Sequence, residues 1–142
     1  MRLMLAMGLA ISLLCGAEVV HAEDKVEGTW KLIAGEADGK ALSEQQLKDG
    51  KLVIQGKQYS ATLHGMATIT GEQKLDPTAR IKTIDITDSS GPQKGRTCLG
   101  IYELDGDQFR VTFAPPGKPR PSKMSTAPDS GNWTHVWKRV TQ

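Results

Sequence analysis

Apolar and polar residues alternate in short segments from residue 28 onwards. In the first segment, Trp30, Leu32 and Ala34 occupy every second position, as in a β-strand with one buried face. Turn-forming residues separate the segments roughly every 8–14 positions, a spacing typical of all-β sandwiches and barrels. Later segments predict strands at Met66–Leu75, Arg80–Thr87 and Trp133–Val140.

One segment has the pattern of a short helix, from Ser43 to Lys48. Ser43 is a favoured N-cap residue, and Gln46 follows three positions later, as a capping box requires. Asp49 and Gly50 then favour the end of the helix.

Two pairs of residues predict tight hairpin turns. Gly56 and Lys57 suit a type II′ turn, because glycine readily adopts the positive φ of the first central position. Asp105 and Gly106 suit a type I′ turn, which requires positive φ at both central positions.

These turns set the expected cross-strand pairs. The first turn pairs Leu52 with Ala61 and Ile54 with Tyr59. The second pairs Tyr102 with Phe109, Gly100 with Val111 and Cys98 with Phe113, which places all six on one face.

The strands together predict an all-β fold. About eight antiparallel strands, most of them joined to their neighbours along the chain, form an up-and-down barrel with one short helix after the first strand. Closure of such a sheet removes its exposed edges, and eight strands enclose a small interior.

A long proline-rich connection lies between the last two strands, over residues 114–131. It holds five of the seven prolines of the chain, and proline cannot donate to a sheet ladder. We expect a stiff loop that closes one barrel mouth. A functional loop is the alternative. The cations around this part of the chain could receive an anionic head group or an acidic partner; they are Arg96, Arg110, Lys118, Arg120 and Lys123.

The first residues predict an export signal. Met1 and Arg2 give a positive start, residues 3–14 are almost entirely apolar, and Ala22 ends a cleavage motif of small residues. An apolar run of about twelve residues spans only about 18 Å as a helix, too short for a bilayer. We therefore expect residues 1–22 to be a signal peptide and residues 23–142 to be one exported domain without a transmembrane segment.

Cys15 lies at the end of this apolar run, where lipid-modified cysteines are found. The residue before it is Leu14, whereas lipidation favours a small residue there. We therefore expect a protein free in the periplasm or the extracellular space and not a lipoprotein. Cys98 is the one cysteine of the expected mature chain.

The composition gives little support to catalysis or to charged partners. A net charge of +2 indicates neither nucleic acid nor membrane binding. Cys98 in the middle of a strand lacks the cationic neighbours that activate a thiol, and His64 and His135 have no metal-ligand spacing. We expect no enzyme, no cofactor and no metal site.

The aromatic residues suggest either a ligand-binding wall or a filled core. Trp133, His135 and Trp137 share one face of the last strand, an arrangement suited to a small ligand. The same tryptophans also suit a core in which His135 is a satisfied or rim residue. The complete set of expected barrel-lining residues is Tyr59, Tyr102, Phe109, Phe113, Trp133, His135 and Trp137.

Several segments, in order, resemble one protein family. They are Gly28-Thr29-Trp30-Lys31, Asp38-Gly39-Lys40, Lys74-Leu75-Asp76-Pro77, residues 100–107 (GIYELDGD) and residues 113–121 (FAPPGKPRP). Over roughly residues 24–140 the chain is similar to the planctomycete-type lipocalin-like domain, a family of small exported bacterial proteins.

The resemblance implies a calycin-type barrel and ligand binding in general, and it supplies no catalytic residues. In lipocalins a basic residue near the last strand covers the first tryptophan. The resemblance therefore implies that Gly28, Trp30 and Arg139 close one barrel end. A cation–π contact of this kind stabilises by up to ~2 kcal/mol when it is desolvated.

The sequence thus favours an exported lipocalin-like binding protein for a small apolar or amphipathic ligand. The alternative is a filled barrel that interacts with another envelope protein, as an inhibitor or assembly factor.

Overall fold

The computed structural model of the protein describes residues 25–141. The expected signal peptide, residues 1–22, and its Cys15 lie outside the described residues.

Nine strands and one short helix follow each other along the described chain. They are β1 Gly28–Ala37, β2 Lys40–Ala41, α1 Glu44–Leu47, β3 Lys51–Gln55, β4 Gln58–Thr62, β5 Ile69–Asp76, β6 Thr83–Asp88, β7 Thr97–Asp105, β8 Gln108–Phe113 and β9 Trp133–Arg139.

The strands form a closed antiparallel barrel. From β3 to β9 each strand pairs with the next, and β1 pairs with both β3 and β9. Eight strands thus close the ring, while β2 pairs only with the end of β1. The predicted lipocalin-like all-β barrel with one short helix is confirmed.

The helix begins with the predicted capping box. The Gln46 N–H donates to Ser43 Oγ over 3.2 Å, and the Ser43 N–H donates to Gln46 Oε1 over 2.8 Å. Asp49, with a φ of 63°, then turns the chain into β3. A Cβ at Gly50 would lie 2.5 Å from Leu32 Cβ, so β1 can pack this closely against the turn only because residue 50 is a glycine.

The β3–β4 hairpin has the predicted register, with Leu52 opposite Ala61 and Ile54 opposite Tyr59. The predicted register of the β7–β8 hairpin is wrong by two residues. Asp105 pairs with Gln108, so that Tyr102 lies opposite Val111, Gly100 opposite Phe113 and Leu104 opposite Phe109.

The φ angles of this turn explain the difference. Gly106 has a φ of 58°, while Asp105 and Asp107 are not among the residues with positive φ. The central pair is therefore Gly106 and Asp107, as in a type II′ turn, and the predicted type I′ turn does not form. Because the shift is two residues, every side chain keeps its predicted face.

Strands β5 and β6 begin three residues later than predicted. Residues 63–66 form a turn in which the Met66 N–H donates to the Leu63 carbonyl over 3.0 Å. Before β6, the Asp76 carboxylate accepts from the Thr78 N–H and hydroxyl over 3.0 and 2.7 Å. Both segments thus use local hydrogen bonds in place of the sheet ladder.

The two barrel ends differ, and we name them by the residues of β9. The Arg139 end is where β9 stops and β1 begins. The Trp133 end is where β9 begins, beside β2 and α1.

Arg139 covers the first tryptophan at the Arg139 end. Its guanidinium lies 4.2 Å from the Trp30 ring centre and donates to the carbonyls of Glu27 and Lys25 over 2.5 and 2.8 Å. Gly28 has a φ of 131°, and a Cβ there would lie 2.9 Å from Arg139 Nη1. This end is therefore held by one side chain that joins the chain entry to the last strand.

The proline-rich segment, residues 114–131, lies on the outer wall of the barrel, whereas we expected it to close a mouth. Arg120 Nη1 donates to Asp85 Oδ1 and to the Gly100 carbonyl, both over 2.7 Å. The Thr126 N–H and hydroxyl donate to the Glu36 carboxylate over 2.8 and 2.5 Å. We call residues 114–131 the strap.

The position of the strap accounts for buried side chains on the outer face of the barrel. Thr112 and Thr134 point outwards, yet they are 0% and 5% exposed, and their hydroxyls lie 2.7 Å apart. Since proline has no N–H for a ladder, side-chain hydrogen bonds hold this segment to the wall.

Candidate functional site

The inner wall of the barrel is filled around its middle and towards the Arg139 end. Trp30, Ile54, Ile84, Tyr102 and Phe109 are each at most 2% exposed. The Phe109 ring centre lies 5.5 Å from that of Trp30 and 5.9 Å from that of Tyr102. At the rim of this end Leu75 and Leu104 are half-buried and pack against the same core.

The inner wall is accessible to solvent at the Trp133 end. Trp133, His135, Ile86, Asp88 and Ala61 face inwards and are all half-buried. This set combines an indole, aliphatic groups, an imidazole and a carboxylate. We call it the mouth cluster.

Strand β9 supplies the aromatic side of the mouth cluster. Trp137, His135 and Trp133 follow each other from the buried core to the rim, because alternate residues of a strand share a face. The Trp133 ring centre lies 5.6 Å from that of Phe113, and the His135 ring meets Trp137 edge-on at 5.6 Å.

His135 is neutral at neutral pH. Burial lowers the pKa of His135 to about 4. Its cross-strand neighbours, Gly35 and Val111, carry no charge that would restore the protonated form. A neutral imidazole can donate and accept one hydrogen bond each, which suits a polar group of a ligand.

The polar side of the mouth is built from Tyr59 and Asp88. The Tyr59 hydroxyl donates to Asp88 Oδ1, and burial together with this carboxylate raises the pKa of Tyr59. A Cβ at Gly71 would lie 2.3 Å from the Tyr59 hydroxyl oxygen, so only glycine allows β5 to pass over this pair.

Cys98 lies beside this pair but is not activated. It is 7% exposed, and burial raises the pKa of its thiol, with a further contribution from Asp88. The thiol is therefore protonated at neutral pH, a poor state for a nucleophile.

His64 and His135 have different surroundings. His64 is exposed, with Nδ1 4.0 Å from Asp49 Oδ2, whereas His135 faces the interior. Within residues 25–141, no group of three His, Cys, Asp or Glu side chains could hold a metal ion.

The seven residues predicted to line the barrel all face its interior, but at different depths. Tyr102 and Phe109 belong to the filled middle, together with Trp137 at 3% exposure. Tyr59 and Phe113 lie beneath the rim at 7% and 5%, and only Trp133 and His135 are half-buried.

Sequence reasoning missed Asp88 and Ile86 as parts of the mouth. The signal was available in the alternation of Ile84, Ile86 and Asp88, which places all three on one face. The predicted strand ends at Thr87, one residue before Asp88.

No helix in the described part of the chain is both long and apolar enough to cross a bilayer. Comparisons with protein-family models, with curated proteins and with solved structures give no match.

Proposed function

We propose that this protein is an exported lipocalin-like binding protein whose ligand is a small amphipathic molecule held at the Trp133 end. The observation that carries the proposal is the gradient of exposure along the inner wall. The wall is filled around Trp30, Tyr102 and Phe109 and becomes accessible at Trp133 and His135, whereas the half-buried side chains at the opposite rim, Leu75 and Leu104, are aliphatic.

The mouth cluster defines the chemistry of this ligand. Trp133, Ile86 and Ala61 offer apolar contacts, and Asp88 and His135 offer hydrogen-bonding groups at the same end of the barrel. Binding sites for small molecules commonly combine a mostly apolar wall with a few polar groups that orient the ligand. A molecule with an apolar body and an uncharged or cationic polar end matches this arrangement.

The filled middle limits the size of the ligand. A Cβ at Gly100 would lie 2.5 Å from the Phe113 ring, so this ring already fills the space beneath the mouth that a side chain at position 100 would need. The ligand therefore occupies the outer part of the barrel, and part of it stays exposed to solvent.

The proposal includes export and no chemical reaction. It rests on the apolar segment at residues 3–14 for export, with cleavage after Ala22. The raised thiol pKa of Cys98 supports a role in packing and not in catalysis. The mass of the mature amino terminus tests the cleavage.

Native mass spectrometry of the protein isolated from its own envelope tests the ligand. We expect a reproducible adduct of small mass that is lost in the Trp133→Ala variant and retained in Val140→Ala, which removes a side chain that is 46% exposed at the Arg139 end. A bare protein after gentle extraction, or equal adducts in both variants, would contradict the proposal.

A second candidate is a module that binds another envelope protein, and one surface favours it. A groove of about 710 Å³ lies between α1 and β1 and includes Ile33 and Leu47. Ile33 is 40% exposed and Met66, in the neighbouring loop, is 52% exposed. Co-purification of a stoichiometric protein partner that is lost on Ile33→Asp, in the absence of any small adduct, would favour this function.

A further inference from the structure

A second recess lies on the outer wall of the barrel, away from the aromatic side of the mouth cluster. It crosses β3 to β6 and has a volume of about 600 Å³, within the range of small-molecule sites. The side chains that line it alternate along these strands with the inward-facing ones, so they point outwards. We call it the outer groove.

Most side chains that line the outer groove carry a hydroxyl, amide or carboxylate group, and Val53 adds an apolar one. Six of its polar side chains are Gln58, Ser60, Thr70, Glu72, Thr87 and Ser89. Among the described residues that line it there is no lysine or arginine, so it offers no cation to a phosphate or carboxylate ligand.

The Thr70 hydroxyl of the outer groove is held in place by Ser89, which also lines the groove, and by the adjacent Ser90. Thr70 Oγ1 lies 3.2 Å from Ser89 Oγ and 3.1 Å from Ser90 Oγ, and the Thr70 N–H donates to Ser90 Oγ over 2.9 Å. Ordered donors and acceptors lower the entropic cost of binding a polar ligand.

The floor of the groove is equally rigid. The side chains of Tyr59 and Asp88 face the interior of the barrel, and their hydrogen bond joins β4 to β6 beneath the groove.

We propose that the outer groove binds a neutral saccharide. A sugar ring presents vicinal hydroxyl groups that both donate and accept, and these match paired amides and hydroxyls beside an acceptor-only carboxylate such as Glu72. An anionic ligand would meet Glu72 without a compensating cation, and a purely apolar one would strand the polar groups without partners.

Amide chemical shifts in a ¹H–¹⁵N spectrum test this assignment. Cellotetraose, chitotetraose, maltotetraose and mannotetraose are titrated separately at millimolar concentrations into the mature protein. We expect at least one of them to shift the amides of Thr70, Gly71 and Thr87. The absence of such shifts with all four, or shifts confined to other strands, would overturn the proposal.

Two matched variants locate the binding. Glu72→Gln removes the carboxylate from the groove and should weaken saccharide binding about tenfold or more, because hydrogen bonds to charged groups are the stronger ones. Glu103→Gln removes an exposed carboxylate on β7, outside the groove, and should bind like the wild type. Equal affinities of the two variants would overturn the assignment.

The same spectra keep this inference separate from the ligand of the mouth. The indole N–H of Trp133 reports on the mouth cluster and should stay unshifted by a saccharide in the outer groove. Unchanged thermal melting of both variants shows that the fold is intact.

Discussion

Replacement of Arg139 by alanine should destabilise the barrel by about 2–3 kcal/mol. The cation–π contact with Trp30 contributes up to ~2 kcal/mol. The two bonds to the carbonyls of Glu27 and Lys25 are partly solvent-exposed, so together they add roughly 1 kcal/mol. The contact with Asp107, at 3.6 Å from a largely exposed carboxylate, adds little.

Urea unfolding followed by circular dichroism measures this loss. Arg139→Lys keeps the charge but lacks the planar fork that reaches both carbonyls, so it should lose roughly half as much. Lys138→Ala is the matched control, because Lys138 is the exposed neighbour on β9 and its loss should stay within ~0.5 kcal/mol.

One result would refute this reasoning. If Arg139→Ala is as stable as Lys138→Ala, then the stacked guanidinium does not hold the Arg139 end. The filled middle of the barrel would then be sufficient on its own to keep this end closed.

Three further predictions concern other parts of the barrel. Gly100→Ala should lower the free energy of unfolding by about 2–3 kcal/mol in the same assay, because its Cβ would lie 2.5 Å from Phe113 and 2.7 Å from the Thr112 carbonyl oxygen. Gly117→Ala has open space around it and should lower this free energy by only ~1 kcal/mol, the cost of a positive φ at alanine. The pKa of His135, about 4 in the folded protein against an ordinary 6.5, means that the unfolded chain binds the proton first. Stability should therefore fall by roughly 3 kcal/mol as the pH drops from 6.5 through 4, and His135→Gln should flatten this slope; parallel curves for the two proteins would contradict the prediction. Arg120→Ala should release the strap from Asp85 and Gly100 and speed its cleavage by a protease, whereas Lys123→Ala should leave the rate unchanged; equal cleavage would show that Arg120 does not hold the strap.

Much of the fold could be predicted because it is encoded by local patterns. The alternation of Trp30 with Leu32 and that on β9, the capping box at Ser43 and the Gly56 turn depend on residues that are close in sequence. The predicted alternation on β1 is wrong at Ala34, because a bulge after Leu32 places Gly35 and not Ala34 opposite the inward-facing His135. The conformation of the β7–β8 turn depends instead on whether an aspartate accepts positive φ. Asp38 and Asp49 do so and Asp105 does not.

The position of the strap and the depth of the site depend on contacts between distant segments. Arg120 meets Asp85 across 35 residues, and Thr126 meets Glu36 across 90. No local pattern indicates such pairs. The inward face of β9 could be predicted from its local alternation. The accessibility of Trp133 and the burial of Trp137, in contrast, follow only from the closed barrel.

The indole N–H signals of Trp30, Trp133 and Trp137 test the central claim most directly. They are recorded in a ¹H–¹⁵N spectrum while a lipid extract of the protein's own envelope is titrated. Binding at the Trp133 end predicts a saturable shift of the Trp133 signal and an unchanged Trp30 signal. A Trp133 signal that does not move, or a shift at Trp30 beneath Arg139, would contradict the account.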